Sequence, residues 1–452
     1  MLEVAWSLGA YIVAIGVLVS FHEFGHYWVA RRLGIKVLRF SIGFGKPIWI
    51  RLARDGVEWA ISAIPLGGYV KMLDEREGIV APAERHLAFN QQSPVKRIAV
   101  VMAGPLFNFL LATIFYWTVL VSGVTDLKPL LAAPAENSTA AHAGLAAGDE
   151  VLKIGDARIE NWTQLRMAII DQALTAGSLR VLVRSPQNVE RTAQLPLAHV
   201  RNDPEFLFND IGLAPYQPEI PPVLKEITAG GSAAVAGFKA GDRLLSFNDH
   251  ALHSFQEWRT WVRAHAGEVV SVRLKREQQE LTLQVIIASQ VQDGKTVGVF
   301  GAVGVDPSAE LWNNLRAEYR LDPIAAVPAA MKQTWQMSAL TLKLLYRMVL
   351  GDVSVKNISG PIQIAQIAGY SASDGLVSFL RFLAIISLSL GVLNLMPVPV
   401  LDGGHLLYYV VELVKGSPLS ERAQAIGQQV GLTLLVALMG LAFYNDIMRL
   451  IS

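Results

Sequence analysis

Cysteine is missing from all 452 residues. That absence excludes disulfides, thiol nucleophiles and thiolate ligands, so a metal site must use nitrogen and oxygen donors. Any exported portion must hold its fold by packing alone. Charge is scarce and balanced, with Lys+Arg 39 against Asp+Glu 38. This leaves no basic surface for a nucleic-acid partner, and no Gly-rich phosphate loop appears. The N-terminus lacks the marks of a cleaved leader: Glu3 stands where Lys or Arg would be, and no small-residue cleavage site follows the first apolar run. What the chain has instead is apolar residues, 52% of the total, which place it among polytopic membrane proteins.

The first apolar run, Val4 to Phe21, carries no charge and leads directly into His22-Glu23-Phe24-Gly25-His26. As a helix it is about 27 Å long, close to the hydrocarbon thickness of a bilayer. His22 and His26 then project from one face a turn apart, with Glu23 beside them, in the H-E-x-x-H pattern of zinc hydrolases. With nine His in the chain, that pattern arises by chance in on the order of one chain in a hundred. Two imidazoles and a carboxylate in a lipid-spanning helix are costly unless something pairs with them, which marks them as functional candidates. The alternative is an interfacial cluster bonded to neighbouring helices. Arg31, Arg32, Lys36 and Arg39 follow this span and no Lys or Arg precedes it. The positive-inside rule therefore places the N-terminus outside and the histidines at the cytoplasmic end.

From Val37 to Met72 apolar and polar residues alternate on either side of Arg54-Asp55-Gly56, a hairpin signal. Two readings stand: a hairpin dipping into the membrane whose free edge adds an extended substrate, or a small sheet packed under the helices. A second span is expected over Ile98–Thr125, where Gly104, Pro105 and Asn108 read as helix-packing residues. From Asp126 the sequence turns soluble in character. The stretch Ala143-Gly144-Leu145-Ala146-Ala147-Gly148-Asp149 recurs as Ala236-Gly237-Phe238-Lys239-Ala240-Gly241-Asp242. This repeat resembles the middle of bacterial PDZ domains, which bind peptide ends by strand addition or here form a rigid canopy. Trp312–Tyr319 and Ile324–Leu350 look helical, the second as an amphipathic helix at the outer membrane boundary. A third span, Phe382 to Leu401, leads into Asp402, at the depth His22 reaches in the first. A fourth, about Ala425 to Tyr444, returns the C-terminus outside. Two His leave a catalytic zinc one protein ligand short, and Asp402 and His405 are the candidates at the right depth.

Together, His22-Glu23-x-x-His26, Gly104-Pro105-x-x-Asn108 and Asn394-x-x-Pro397-x-Pro399-x-Leu401-Asp402-Gly403-Gly404 resemble the site-two protease family of intramembrane zinc metalloproteases. The resemblance covers the chain end to end. It implies a polytopic α-helical membrane protein with four transmembrane helices, a membrane-associated β-hairpin and two inserted periplasmic PDZ domains. The implied division is 1–30 first span, 31–97 re-entrant hairpin region, 98–125 second span, 126–218 and 219–308 PDZ domains, 309–374 amphipathic helices, 375–408 third span, and 409–452 cytoplasmic segment with fourth span. It further implies Zn2+ held by His22, His26 and Asp402, Glu23 as catalytic acid and base, and Asn394, Pro397 and Pro399 holding substrate. Implied substrates are single-pass proteins of the bacterial inner membrane, among them an anti-sigma factor and signal peptide remnants, cut after an earlier external cleavage. The rival from another class is a non-catalytic PDZ scaffold with a vestigial metal site. A zinc transporter would need several more intramembrane carboxylates.

Overall fold

The computed structural model describes residues 2–174, 177–198, 200, 204–218, 220–292, 295–306 and 309–451. Two compact units emerge, one made chiefly of Met1–Thr125 and Glu318–Leu450, the other of Asp126–Arg201 and Phe206–Ala317. The expected boundaries at 219 and 308 fall on residues outside those described.

In the first unit, helix α1 (Leu2–Arg32) runs unbroken through the His-Glu-x-x-His stretch, opening with Glu3 and closing on Arg31 and Arg32, as the helix dipole favours. Strands β1 (Val37–Leu52) and β2 (Glu58–Met72) follow, joined by a tight turn in which Gly56 has φ 83°. They form more than a hairpin. Residues 39–42 pair both with 68–71 and with 58–61, while 49–52 also pair with 58–61. Each strand therefore bends back on itself, at Gly43 and Gly45 in β1 and at Gly67 in β2, all with positive φ. The result is four segments in the order 47–52, 58–62, 37–42, 68–72, with buried Ser41 and Ser62 hydroxyls bonded at 3.0 Å inside. Val37 and Val57 pack this sheet onto Ala30 and Val100. Tyr27 of α1 meets Phe40 and Trp59 edge-on.

Helix α2 (Pro94–Ser122) starts four residues before the expected Ile98. Pro94 sits where a missing N–H costs nothing.

Strand β3 (Val124–Leu127) runs across the boundary at Thr125, and the second unit repeats one topology. Its first half has α3 (Thr139–His142), β4 (Glu150–Ile154), β5 (Ala157–Arg158), α4 (Trp162–Ala173), β6 (Ser178–Arg184), β7 (Glu190–Pro196) and α5 (Pro204–Ile211). Its second half has β8 (Leu224–Ile227), α6 (Ser232–Val235), β9 (Arg243–Phe247), β10 (His250–Ala251), α7 (Phe255–Ala264), β11 (Val269–Arg276), β12 (Gln279–Ile286), β13 (Ala288–Gln292), β14 (Lys295–Val299) and β15 (Ala302–Gly304). The sheets correspond strand for strand, β5-β4-β6-β7 and β10-β9-β11-β12. So do two buried aspartates: Asp149 pairs with Arg191, and Asp242 with Arg276 at 2.7 Å. The Gly-Asp repeat is thus a structural device that clamps a turn onto the sheet.

Helix α8 (Ala309–Leu315) ends where β16 (Arg316–Tyr319) pairs with β3, so the helix expected over Trp312–Tyr319 is cut short by strand pairing. Helix α9 (Pro323–Leu350) docks on α2, burying Ala326 and Ala330 against Ala112, Tyr116 and Leu120, with the Thr334 hydroxyl 3.0 Å from that of Thr113. The expected surface helix therefore has a packed face. Helix α10 (Pro361–Asp374) lies on α1, close enough that a Cβ on Gly369 would strike Ser7. Helix α11 (Leu376–Leu395) stops well short of the expected Leu401, because Pro397 and Pro399 cannot continue it. Helix α12 (Asp402–Lys415) begins at the aspartate itself, and α13 (Glu421–Ile451) ends the chain. In α13 the buried Asp446 carboxylate accepts from the amides of Gly360, Ile362 and Gln363, capping α10. Among the described residues, four helices are long and apolar enough to cross a membrane: α1, α2, α11 and α13.

A buried ion pair fixes α12 against α2. Arg97 Nη2 donates to Glu412 Oε1 at 2.6 Å, its guanidinium lies 4.7 Å over the Tyr409 ring, and its Nε donates to the Gln92 carbonyl. Removing one partner strands the other charge, at a cost of about 3 to 5 kcal/mol. Arg97→Ala and Glu412→Ala should each lower the thermal midpoint sharply. The double variant should recover part of the loss. Strictly additive losses in that cycle would show that the pair does not hold α12 in place.

Candidate active site

Helical geometry brings His22 and His26 together from successive turns of α1, and the proline-broken segment after α11 brings Asp402 to them. Asp402 Oδ2 lies 3.1 Å from His22 Nε2 and 3.5 Å from His26 Nε2, and the two Nε2 atoms are 3.2 Å apart. Three donor atoms about 3.3 Å from one another are what a tetrahedral ion with ligands at about 2.0–2.1 Å requires. The tautomers agree. His26 Nδ1 donates to the Val100 carbonyl at 2.8 Å, which leaves its Nε2 lone pair free. His22 Nδ1 is 3.1 Å from the Asn108 amide. Turning that amide by half a rotation lets Oδ1 accept from Nδ1–H and gives the otherwise unpaired, buried Oδ1 a partner. Three lone pairs then converge on one point, and buried Asp402 Oδ2 accepts no hydrogen bond there. A cation satisfies all of them. Among the described residues this is the one cluster of such donors. His405, the other ligand candidate, faces Tyr408 and is outside it.

The approach of α2 depends on Gly104. A Cβ there would lie 2.2 Å from His26 Nε2 and 2.7 Å from His22 Cε1. Gly25 does the same from the other side, 2.6 Å from the Ala103 carbonyl oxygen. Gly104 and Asn108, read from sequence as packing residues, are therefore in contact with the imidazoles. Ser387 of α11 holds the Asn108 carbonyl at 2.8 Å. The G-P-x-x-N spacing is the signal that points to this arrangement, since it sets Gly and Asn on one helical face beside a proline.

Beside the cluster is a cleft of ≈ 340 Å³ lined by His22, Glu23, Asn108, Asn394 and Asp402, with Phe44, Gly67 and Gly68 on one wall. Glu23 faces the free edge of the sheet: its Cγ is 3.2 Å from where a Cβ of Gly68 would lie, and its carboxylate meets the Val70 backbone. Asn394 reaches the cleft, whereas Pro397 and Pro399 shape the turn behind it. A Cβ on Gly403 would strike the Met396 carbonyl oxygen at 2.1 Å, and one on Gly404 the Pro399 Cα at 2.6 Å, so the diglycine permits the turn to fold onto the start of α12. Val400, on the cleft wall, has φ 94°, which costs a β-branched residue about 1–3 kcal/mol.

The profile of peptidase family M50 matches residues 10–438. The chain is 42% identical to "Protease RseP" of Yersinia pestis and 40% identical to "Regulator of sigma-E protease RseP" of Escherichia coli, over 100% of both chains in each case. A relative assigned as a zinc metalloprotease in Vibrio cholerae is 39% identical over the whole of both chains. A solved PDZ domain from Listeria monocytogenes covers 20% of this chain and 93% of its own at 16% identity, with a TM-score of 0.18, which is too distant to argue from. With an HExxH helix, a carboxylate meeting both histidines and full-length similarity to these proteases, the chain belongs to peptidase family M50 and is a zinc metalloprotease.

Proposed function

We propose that the protein is an endopeptidase of the bacterial inner membrane that cuts the spans of single-pass membrane proteins after an earlier external cut. Its N- and C-termini and the two repeated domains, read as PDZ domains, lie on the outer side. Among its substrates are a membrane-anchored anti-sigma factor, in keeping with the names of its relatives, and signal peptide remnants. The observation that carries this reading is the juxtaposition of an unpaired strand edge, 68–72, with Glu23 and the three converging ligand atoms in one cleft.

His22, His26 and Asp402 hold the zinc. When bound, the ion supplies Lewis acidity, making water a nucleophile at neutral pH and polarising the scissile carbonyl. Glu23 takes the water's proton on its carboxylate and delivers it to the leaving amine. A helical substrate hides its carbonyls in its own hydrogen bonds, so the scissile segment must unwind. The amides on the outer side of 68–72 pair with that segment and hold it extended against Glu23. Asn394, which also lines the cleft, offers a further amide, and the Pro397–Pro399 turn fixes the segment that follows it.

Val70→Pro tests the edge. Proline removes the Val70 N–H from the edge, and with it the backbone contact to Glu23, without touching a ligand. Zinc content should be unchanged while cleavage of a purified helical span falls about tenfold or more, given net hydrogen-bond worths of 0.5–1.5 kcal/mol and the added strand distortion. A substrate already broken by Gly or Pro should suffer less. An equal loss for both substrates would assign the effect to Glu23, and equal rates at wild-type level would leave the edge without a role in binding.

A further inference from the structure

The opposite edge of the same sheet has no part in that scheme. Segment 47–52 is exposed along its whole length, with Ile48 74%, Trp49 48%, Ile50 51% and Leu52 67% accessible. Strand residues alternate between faces, so apolar side chains project on both faces of this edge, an arrangement water penalises. The acids nearby are spent: Asp55 pairs with Arg31 at 2.9 Å and Glu58 with Arg39 at 2.6 Å. Lys46, Arg51 and Arg54 have no ion-pair or side-chain hydrogen-bond partner among the described residues. Arg51 and Arg54 share the rim of a cleft of ≈ 520 Å³ whose walls include Trp49 and Trp59. Two guanidinium forks between indoles suit a phosphate group, and the apolar strand beside them suits acyl chains.

We propose that the 47–54 edge is a binding site for the headgroup phosphate of an anionic membrane lipid, held by Arg51 and Arg54 between Trp49 and Trp59. Placement supports a lipid rather than a soluble phosphate ester. The sheet follows directly on the end of α1, where Trp28 is 43% exposed and Arg32 stacks over it at 5.0 Å, the pairing of aromatic and cation that marks a membrane boundary. With its far edge anchored in headgroups, the sheet would present its near edge to the cleft at a fixed height. The proposal rests on the reading of α1 as a span, but its test does not depend on proteolysis.

The test uses the full chain in phosphatidylcholine vesicles containing phosphatidylglycerol. Native mass spectrometry of the released protein counts retained lipids, and titration gives the preference for phosphatidylglycerol. The Arg51→Ala/Arg54→Ala double variant should bind phosphatidylglycerol about thirty-fold more weakly, at about 1 kcal/mol for each basic side chain. Arg51→Lys/Arg54→Lys should fall between, keeping the charge and losing the fork. Zinc content, and cleavage in pure phosphatidylcholine, should be the same in all three proteins. Undiminished phosphatidylglycerol retention by the alanine variant would overturn the proposal. So would displacement of the lipid by millimolar inorganic phosphate, or a loss of self-association in the variants, which would make the edge a contact between copies.

Discussion

Glu23→Gln will keep its zinc and lose proteolysis, by roughly a thousandfold or more for a general acid and base acting at both proton transfers. His22→Ala, His26→Ala and Asp402→Asn will instead lose the metal. The contrast follows from geometry: the three ligand atoms lie 3.1–3.5 Å apart around one point, whereas Glu23 stands against the sheet edge and is absent from that cluster. Zinc measured by elemental analysis of purified protein, alongside cleavage of a labelled span, separates the two classes. A fully loaded Asp402→Asn would remove Asp402 from the ligand set. An active Glu23→Gln would move the proton transfer to another group, and among the described residues no other carboxylate besides Asp402 lines that cleft.

The second large effect comes from a methyl group. Gly104→Ala should raise the intrinsic helix propensity of α2, by about 1 kcal/mol, and yet release the metal. The new Cβ would lie 2.2 Å from His26 Nε2, the atom that must carry the ligand lone pair, so α1 and α2 must separate. Metal affinity should drop by about a hundredfold, the scale seen when ligand orientation is disturbed. Gly9→Ala in α1 is the control, because a Cβ there meets nothing within 4 Å. It should leave zinc and activity unchanged and, by the same gain in helix propensity, should not lower the thermal midpoint. A Gly104→Ala protein with wild-type zinc content would mean that the helices part without moving either imidazole.

What the sequence discloses and what it withholds divide along physical lines. The pairing of His22 with His26 is a property of one helix, readable from spacing alone. The meeting of Asp402 with them follows from counting depth along two apolar runs, which works although α11 ends at Leu395 and a bent segment covers the remaining distance. The contributions of Gly104 and Asn108 are set by how closely α2 approaches α1, a fact about two helices that periodicity in one cannot express. The doubling back of β1 and β2 is similarly hidden, because alternation reports faces and not partners. Gly43, Gly45 and Gly67 mark the bends only once the register is known. Arg316–Tyr319 continues the pattern of the helix before it, and becomes a strand because β3 supplies a partner nearly two hundred residues earlier in the chain.

The segment between α11 and α12 carries one more implication. Pro397 and Pro399 fix their own φ angles, Val400 is held at φ 94°, and the Gly403–Gly404 pair lets the turn close onto the start of α12. Such a stretch has few alternative conformations to visit. The carboxylate that meets both histidines is thus delivered on a stiff bracket rather than on a loop that an ion must first order. Emptying the site should not melt it. Stripped by a chelator, the protein should keep its fold and recover when zinc is restored, on the timescale of ion binding rather than of refolding. In a cell short of zinc, the enzyme would therefore be idle but intact, ready to act as soon as the metal returns.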